Sequence, residues 1–275
     1  MRPVRLLVLS DVHGNAHALR AVLDAAAGER IDRVLCLGDL VGYGPFPNEC
    51  AATLADLGAV TVVGNHDLIA IGELTDERCG PLARRTGAWT RAALDERTRA
   101  HLAALPRTAR VGDVLLAHGS IDDPQTYVRG VERAAAELER MGRDAPGARV
   151  LLLGHTHQPW AFGPATGTLL RGPRSGVVAL DPAHPHLVNP GSVGQSRDRT
   201  VAARFAVLDT ARGRVEFRAV PYDVAGHVRG LRAAGLPDGS HRMAPTVRDR
   251  VVGARWTLAR RVRGLIRPGP RRPPR

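Results

Sequence analysis

Five stretches of consecutive apolar residues, mostly β-branched or leucine, punctuate residues 4–155: VRLLVLS, RVLCLG, AVTVVG, DVLLAH and RVLLLG. Each is strand-length and unbroken, the pattern of a strand buried on both faces, and each stops at a Gly, Asp, Asn or His. Between the first three the periodicity changes. A helix is expected from about Asn15 to Ala27, with apolar residues at 18, 19, 22, 23 and 26, and another from Asn48 to Leu57 after a Gly/Pro loop at 42–47. The opening therefore reads β-α-β-α-β, with strands at 4–10, 33–37 and 59–63, which predicts parallel strands joined by right-handed crossovers.

The pattern then loosens. Residues 68–104 read as several helices broken near Gly72, Gly80 and Gly87, and a further helix is expected over 129–142. Strands recur near 109–117, 149–153, 168–171, 176–180 and 186–188, and a hairpin-like pair spans 203–209 and 214–220. Short turns dominate this half, so a second, largely antiparallel sheet packed on the first is expected. Periodicity fades beyond Tyr222. Residues 247–266 spread Val251, Val252, Leu258, Val262 and Leu265 among arginines, as an amphipathic helix would. The end, RPGPRRPPR, has the composition of a disordered tail. The expected organisation is a domain over 1–245 and an Arg/Pro-rich helix and tail over 246–275.

Composition adds little until charge is located. A hydrophobic content of 44% over 275 residues is ample for one large core. No apolar run reaches membrane-spanning length, and the position of the first strand argues against a cleaved leader, so a cytoplasmic location is expected. Cys36, Cys50 and Cys79 are sparse and odd in number, which fits reduced thiols. All 39 basic residues are arginine, a compositional bias rather than a sign of nucleic-acid contact. Ten of these arginines and one Asp fall after Pro245, so the tail carries +9 of the formal +12 and leaves +3 for the rest. The tail is the only candidate contact for nucleic acid.

The chemistry sits where the strands end: Asp11-Val12-His13, Gly38-Asp39, Gly64-Asn65-His66-Asp67, His118, and His155-Thr156-His157. Open α/β sheets bind ligands beyond the carboxyl ends of their strands. Carboxylates, an amide oxygen and imidazoles together suit first-row divalent metals. Seven candidate ligands exceed one tetrahedral shell, so two metals are the economical reading, and paired metals cleave phosphoesters. The remaining histidines (His17, His101, His184, His186, His227, His241) fit no ligand spacing.

Taken together, DVHGN, GDLVGYGP, GNHD, AHGS and GHTH resemble the calcineurin-like metallophosphoesterase superfamily, with similar sequence continuing through NPGSVGQ at 189–195. The resemblance implies a four-layer α/β/β/α sandwich with a dinuclear site at the C-terminal edge of its strands. It implies that Asp11, His13, Asp39 and His157 hold one metal and Asp39, Asn65, His118 and His155 the other, with Asp39 bridging. Mn is the first expectation, with Fe, Zn or Ni as alternatives. A hydroxide bridging the ions would attack phosphorus in line. His66 would contact the phosphate and protonate the leaving oxygen, with Asp67 or Asp11 orienting it. Asn15 and Ser192 are expected either to touch substrate oxygens or to serve as structural turn residues, and Tyr43 to line the entrance.

One departure narrows the reading. The protein Ser/Thr phosphatase branch carries Gly-Asp-x-x-Asp-Arg-Gly after the second strand, whereas Gly38-Asp39-Leu40-Val41-Gly42-Tyr43-Gly44 lacks the second Asp and the Arg. The wording is closer to the small bacterial phosphodiesterase-type branch, which implies hydrolysis of phosphodiesters, with some monoesters accepted, on a small or nucleotide-like substrate. A nuclease anchored by the basic tail and a non-catalytic metal-binding scaffold are the competing classes.

Overall fold

The three leading apolar runs become β1 (Arg5–Leu9), β2 (Arg33–Cys36) and β3 (Val60–Thr61), connected by α1 (Ala16–Ala26) and α2 (Pro47–Asp56). The computed structural model describes residues 4–163, the backbone of 168–171, and residues 176–197 and 200–243. After β3 come α3 (Asn65–Ile71), α4 (Pro81–Ala93) and α5 (Glu96–Ala104). Then follow β4 (Ala109–Val111), β5 (Val114–Leu116), α6 (Val131–Asp144), β6 (Val150–Leu152) and β7 (Pro159–Gly163). The chain continues through β8 (Thr168–Arg171), β9 (Gly176–Ala179), β10 (His186–Pro190), β11 (Ala203–Asp209), β12 (Arg214–Val220) and α7 (Val224–Ala233).

Two six-stranded sheets form, ordered β3-β2-β1-β11-β12-β9 and β4-β5-β6-β10-β7-β8. Strand alternation assigns their faces. Leu6 and Val8 of β1 and Leu35 of β2 join Leu116, Leu152, Val188, Val215 and Phe217 in the core between the sheets. Their neighbours Leu7, Leu9 and Cys36 turn the other way, onto Leu19 and Val22 of α1 and Leu54 of α2. In the second sheet Leu115, Leu151 and Leu187 are buried on the opposite face from Leu116, Leu152 and Val188, on strands of which β10 meets α6. The result is the four-layer α/β/β/α sandwich.

Register is what positions the site. In the first sheet Leu9 pairs with Cys36 in parallel, so β1 and β2 end together and release Asp11 beside Asp39. In the second, Leu152 pairs in parallel with both Leu116 and Val188, so the segments bearing His118, His155 and Asn189 emerge side by side.

Several details differ from the sequence reading. Both sheets are mixed: β11, β12 and β9 add antiparallel strands to the first sheet instead of building a separate antiparallel one. The strand expected over 109–117 is a hairpin turned at Gly112, whose φ of 63° suits glycine. Helix α4 runs through Gly87 without a break, and a Cβ there would meet Ile69 of α3 at an ordinary contact distance of 3.9 Å, so the glycine neither ends the helix nor is required by its packing. Strand β7, opening on Pro159, and helix α7 were not foreseen. The expected helix at 247–266 and the Pro/Arg tail lie outside the described residues.

Leu152 is fully buried between the sheets. Leu152→Ala is expected to cost about 2–5 kcal/mol, seen as a lower urea midpoint at unchanged slope. A loss below about 1 kcal/mol would contradict tight packing there.

Candidate metal centre

Six non-glycine residues among those described have positive φ: Asp11 (55°), His13 (51°), Asp39 (55°), Tyr43 (56°), His155 (60°) and His157 (58°). Left-handed backbone costs an L-residue on the order of 1 kcal/mol, so it persists only where surroundings enforce it. All six lie in the loops beyond the strand ends. Backbone hydrogen bonds lock these loops together: Asp11 N–H to Gly38 O (3.0 Å), His13 N–H to Asp39 O (2.9 Å), Gly194 N–H to Asp11 O (2.9 Å). Gly64 is required in a further sense, because a Cβ there would meet Asp39 Oδ1 at 2.2 Å.

All seven residues expected as ligands converge in this space, in two groups sharing Asp39. Asp11, His13, Asp39 and His157 bring one donor atom each within 4.8 Å of one another, as do Asp39, His118 and His155. Asp39 Oδ2 is 3.7 Å from His13 Nε2 and 3.2 Å from His118 Nε2, so one oxygen faces both groups. Asp11 Oδ1 is 3.1 Å from His157 Nε2, and Asn65 Oδ1 is 3.2 Å from His118 Nε2. No other such group of three occurs among the described residues.

The remaining bonds show that these donors fit a cation. The Nδ1 atoms of His13, His118 and His157 lie 3.1, 2.6 and 2.8 Å from the carbonyls of Val41, Leu37 and Gln195, which only an N–H can satisfy. That fixes the ring orientation and turns Nε2 inward, where it offers a lone pair whenever the ring is neutral. His13 Nε2 and His157 Nε2 then face each other at 3.2 Å, an arrangement two lone pairs do not hold unaided. Asp11 Oδ1, Asp39 Oδ2 and His155 Nε2 are buried without a hydrogen-bond partner; His118 approaches Asp39 Oδ2 outside bonding geometry. Meanwhile Asp11 Oδ2 accepts from Ser10 Oγ (2.6 Å) and the His155 amide (3.1 Å), and Asp39 Oδ1 from the His66 amide (2.8 Å). Each carboxylate spends one oxygen on the frame and presents the other.

Without ions the site compensates with a proton. Burial would lower the His118 pKa, but the Asp39 carboxylate outweighs it and pushes the group up to about 9. Burial holds His13, His155 and His157 below their usual value, hence neutral. Burial would raise Asp39, yet His118 and then His66 outweigh it and hold it well below the usual carboxylate range.

Hydrogen bonds bear on three of the expected roles. Asn15 is fully buried; its Oδ1 caps α1 at Ala18 N–H (3.0 Å) and its Nδ2 donates to Gly194 O (3.0 Å), so it braces loops instead of touching substrate. Ser192 Oγ donates to Asp11 O (2.9 Å) and accepts from Gln195 N–H (2.9 Å), with the same consequence. Asp67 does not orient His66. It accepts from the amides of Asp39, Leu40, Val41 and Gly64 at 2.8–3.1 Å and so ties the β2 loop to α3. Burial, with Asp39 nearby, pushes its pKa up to about 7 against the pull of those amides.

His66 lines a cleft of about 360 Å³ beside the paired groups, along with Asn65 and His155. Its ring is 4.7 Å from that of Tyr43, which lines the same cleft. Two cleft residues escaped the sequence reading. Tyr127 stacks on His155 (centroids 4.0 Å, 32°), and Arg197 reaches Tyr127 Oη through Nη1 at 3.1 Å. Arg197 stands two residues beyond NPGSVGQ, and proximity to that motif was the only available signal.

The sequence model of the calcineurin-like phosphoesterase superfamily domain matches residues 4–213. An uncharacterized protein of Methanocaldococcus jannaschii is 30% identical over 237 residues, covering 85% of this chain and 94% of its own. A metallophosphoesterase crystal structure from Sphaerobacter thermophilus is similar at 33% identity and a TM-score of 0.76, over 87% of this chain and 97% of the other. A hypothetical protein from Pyrococcus horikoshii shares the fold at 20% identity and a TM-score of 0.69, over 86% and 96%. The chain belongs to the calcineurin-like phosphoesterase superfamily.

The His118 proton generates a prediction. A cation entering the second group must displace it, so affinity should rise with pH while His118 is protonated in the metal-free protein. From pH 6.5 to 8.5 the gain should be about tenfold per unit, levelling near 9. Chelator competition at several pH values measures it, and a flat profile would contradict the assignment.

Proposed function

We propose that this member of the superfamily holds two divalent transition-metal ions and hydrolyses phosphodiesters of small or nucleotide-like compounds, accepting some monoesters. The observation that carries the reading is Asp39 Oδ2, buried, without a hydrogen bond and facing both ligand groups at 3.7 and 3.2 Å. In this proposal Asp11, His13, Asp39 and His157 hold one ion and Asp39, Asn65, His118 and His155 the other. The mixed oxygen and imidazole donors suit Mn first, with Fe, Zn or Ni as alternatives. When bound, the ions supply positive charge for the phosphoryl oxygens and acidify water at neutral pH.

The protein's own contributions follow from the geometry. Asp39, fixed through Oδ1 by the His66 amide, sets the spacing of the two groups. The carbonyls of Val41, Leu37 and Gln195 accept from three Nδ1–H groups and so aim the Nε2 atoms inward. His66 stands in the cleft wall outside the two ligand groups, its ring edge-on to that of His13 with centroids 5.0 Å apart, where it would meet a phosphate and its leaving oxygen. Burial, opposed by Asp39 and aided by neighbouring His157 and Arg197, holds its pKa down at about 4. It is therefore neutral at rest, and a bound anion would favour its protonated form. The missing Asp and Arg after Leu40-Val41 count against a phosphoprotein phosphatase, and the phosphodiester reading rests on the resemblance of GDLVGYGP and NPGSVGQ to the phosphodiesterase-type branch. No described residue favours the nuclease reading, whose basis is the tail.

Asp39→Ala should lose most of both metals and most turnover of an activated aryl phosphodiester with Mn²⁺. Metal analysis showing near-stoichiometric binding by the variant, at normal rates, would refute bridging.

His66→Gln should keep its metal and much of its activity on that aryl diester, whose leaving group needs no proton. On an alkyl or nucleoside ester it should be slower by on the order of 10²–10⁴. Equal losses on both substrates would reject the acid role and leave an electrostatic one.

A further inference from the structure

The cleft beside the paired ligand groups is lined by no Asp or Glu, yet two arginines enter its wall, Arg78 and Arg197. They differ in what already holds them. Arg78 pairs with Asp123 at 2.8 Å and donates to Gln125 O at 3.2 Å, so its charge is spent locally. Arg197 faces no carboxylate partner among the described residues. Its Nη1 donates to the phenol of Tyr127, a neutral acceptor, and its Nε is buried without any hydrogen-bond partner. A guanidinium with unused donors, partly buried and opening on an acid-free cleft, is an arrangement that waits for an anion.

Tyr127 explains how this charge keeps its place. The ring stacks on His155 with centroids 4.0 Å apart, while the hydroxyl receives Arg197. The phenol thus links the guanidinium to the imidazole of the second ligand group. Asn65, His66 and His155 share the cleft with Arg197, so an anion reached from those groups can meet the guanidinium as well.

We propose that Arg197 is the anion anchor of this site, that its guanidinium binds terminal oxygens of a phosphate held at the Asp/His groups, and that Tyr127 is its positioning residue. The proposal rests on the phosphoesterase reading above and deepens it. The loop after Asp39 lacks the arginine that would clamp a phosphomonoester, and Arg197 supplies that guanidinium from the segment after β10. A fork of donors matches two terminal oxygens sharing a double negative charge better than a diester's single charge. Arg197 therefore favours substrates that end in a terminal phosphate, and it is the reason monoesters are accepted.

The test compares Mn²⁺-loaded wild type, Arg197→Gln, Arg197→Lys and Tyr127→Phe. Three quantities are read: metal content, affinity for inorganic phosphate by calorimetry, and kcat/KM on an aryl monoester and an aryl diester. Arg197→Gln should keep its metal, bind phosphate about 10- to 100-fold more weakly, and lose at least tenfold in the monoester-to-diester ratio, as loss of a charge-assisted bond implies. Arg197→Lys should recover part of the affinity, since it restores charge without the fork. Tyr127→Phe, which keeps the stack and removes the hydroxyl, should fall between wild type and Arg197→Gln on phosphate. Unchanged phosphate affinity or an unchanged ratio in metal-replete Arg197→Gln would overturn the anchor, and metal loss in that variant would make the residue structural. Wild type that binds phosphate through Arg197 but cleaves neither ester would leave the anchor standing and defeat the hydrolase reading.

Discussion

Asp11 and Asp39 are two carboxylates with no solvent exposure, set among imidazoles at the mouth of a hydrophobic sandwich. Burying a carboxylate without compensation is prohibitive, and Asp11 and Asp39, unlike the amide-ringed Asp67, each keep one oxygen free for positive charge. Much of the surrounding structure follows from that requirement. One oxygen of each is pinned by protein donors, and the other is left bare toward its neighbours. Three imidazoles donate Nδ1–H to carbonyls behind them, which turns their Nε2 atoms toward the carboxylates. In the metal-free protein a proton on His118 stands in for part of the missing charge.

The fold meets the geometric side of the same requirement. Parallel register brings β1 and β2 to a common end, and β5, β6 and β10 to another, so the loops that follow are neighbours before any ligand forms. The loops then bend through left-handed conformations that their own residues resist, five of them ligand candidates. Asp67, Ser192 and Asn15 hold that strain in place. Four amides converge on Asp67 alone, which joins the loop of Asp39 to the helix that carries Asn65 and His66. These side chains share the polar character of ligands but face the backbone.

That distinction marks the limit of what sequence could disclose. The β-α-β-α-β opening and the seven converging residues were legible, because buried parallel strands write continuous apolar runs and ligand types punctuate their ends. Asn15 and Ser192 sit in equally polar turns, and nothing in residue type says whether an amide or hydroxyl points at a substrate or at a loop. The partition of strands between sheets was hidden, since β11 and β12 read as a hairpin whichever sheet they join. Strand β7 opens on a proline, and α4 runs through Gly87, a residue type that reads as a helix break. Arg197 and Tyr127 are 70 positions apart, and only the folded chain brings them together.

The central claim is that one carboxylate oxygen, Asp39 Oδ2, is shared by two ions. Anomalous diffraction from crystals of the Mn²⁺-loaded protein tests it most directly. The account predicts two peaks about 3.5–4 Å apart, the spacing of paired catalytic metals, with Asp39 Oδ2 within bonding distance of both. A single peak, or a pair in which Asp39 contacts one ion or neither, would contradict it.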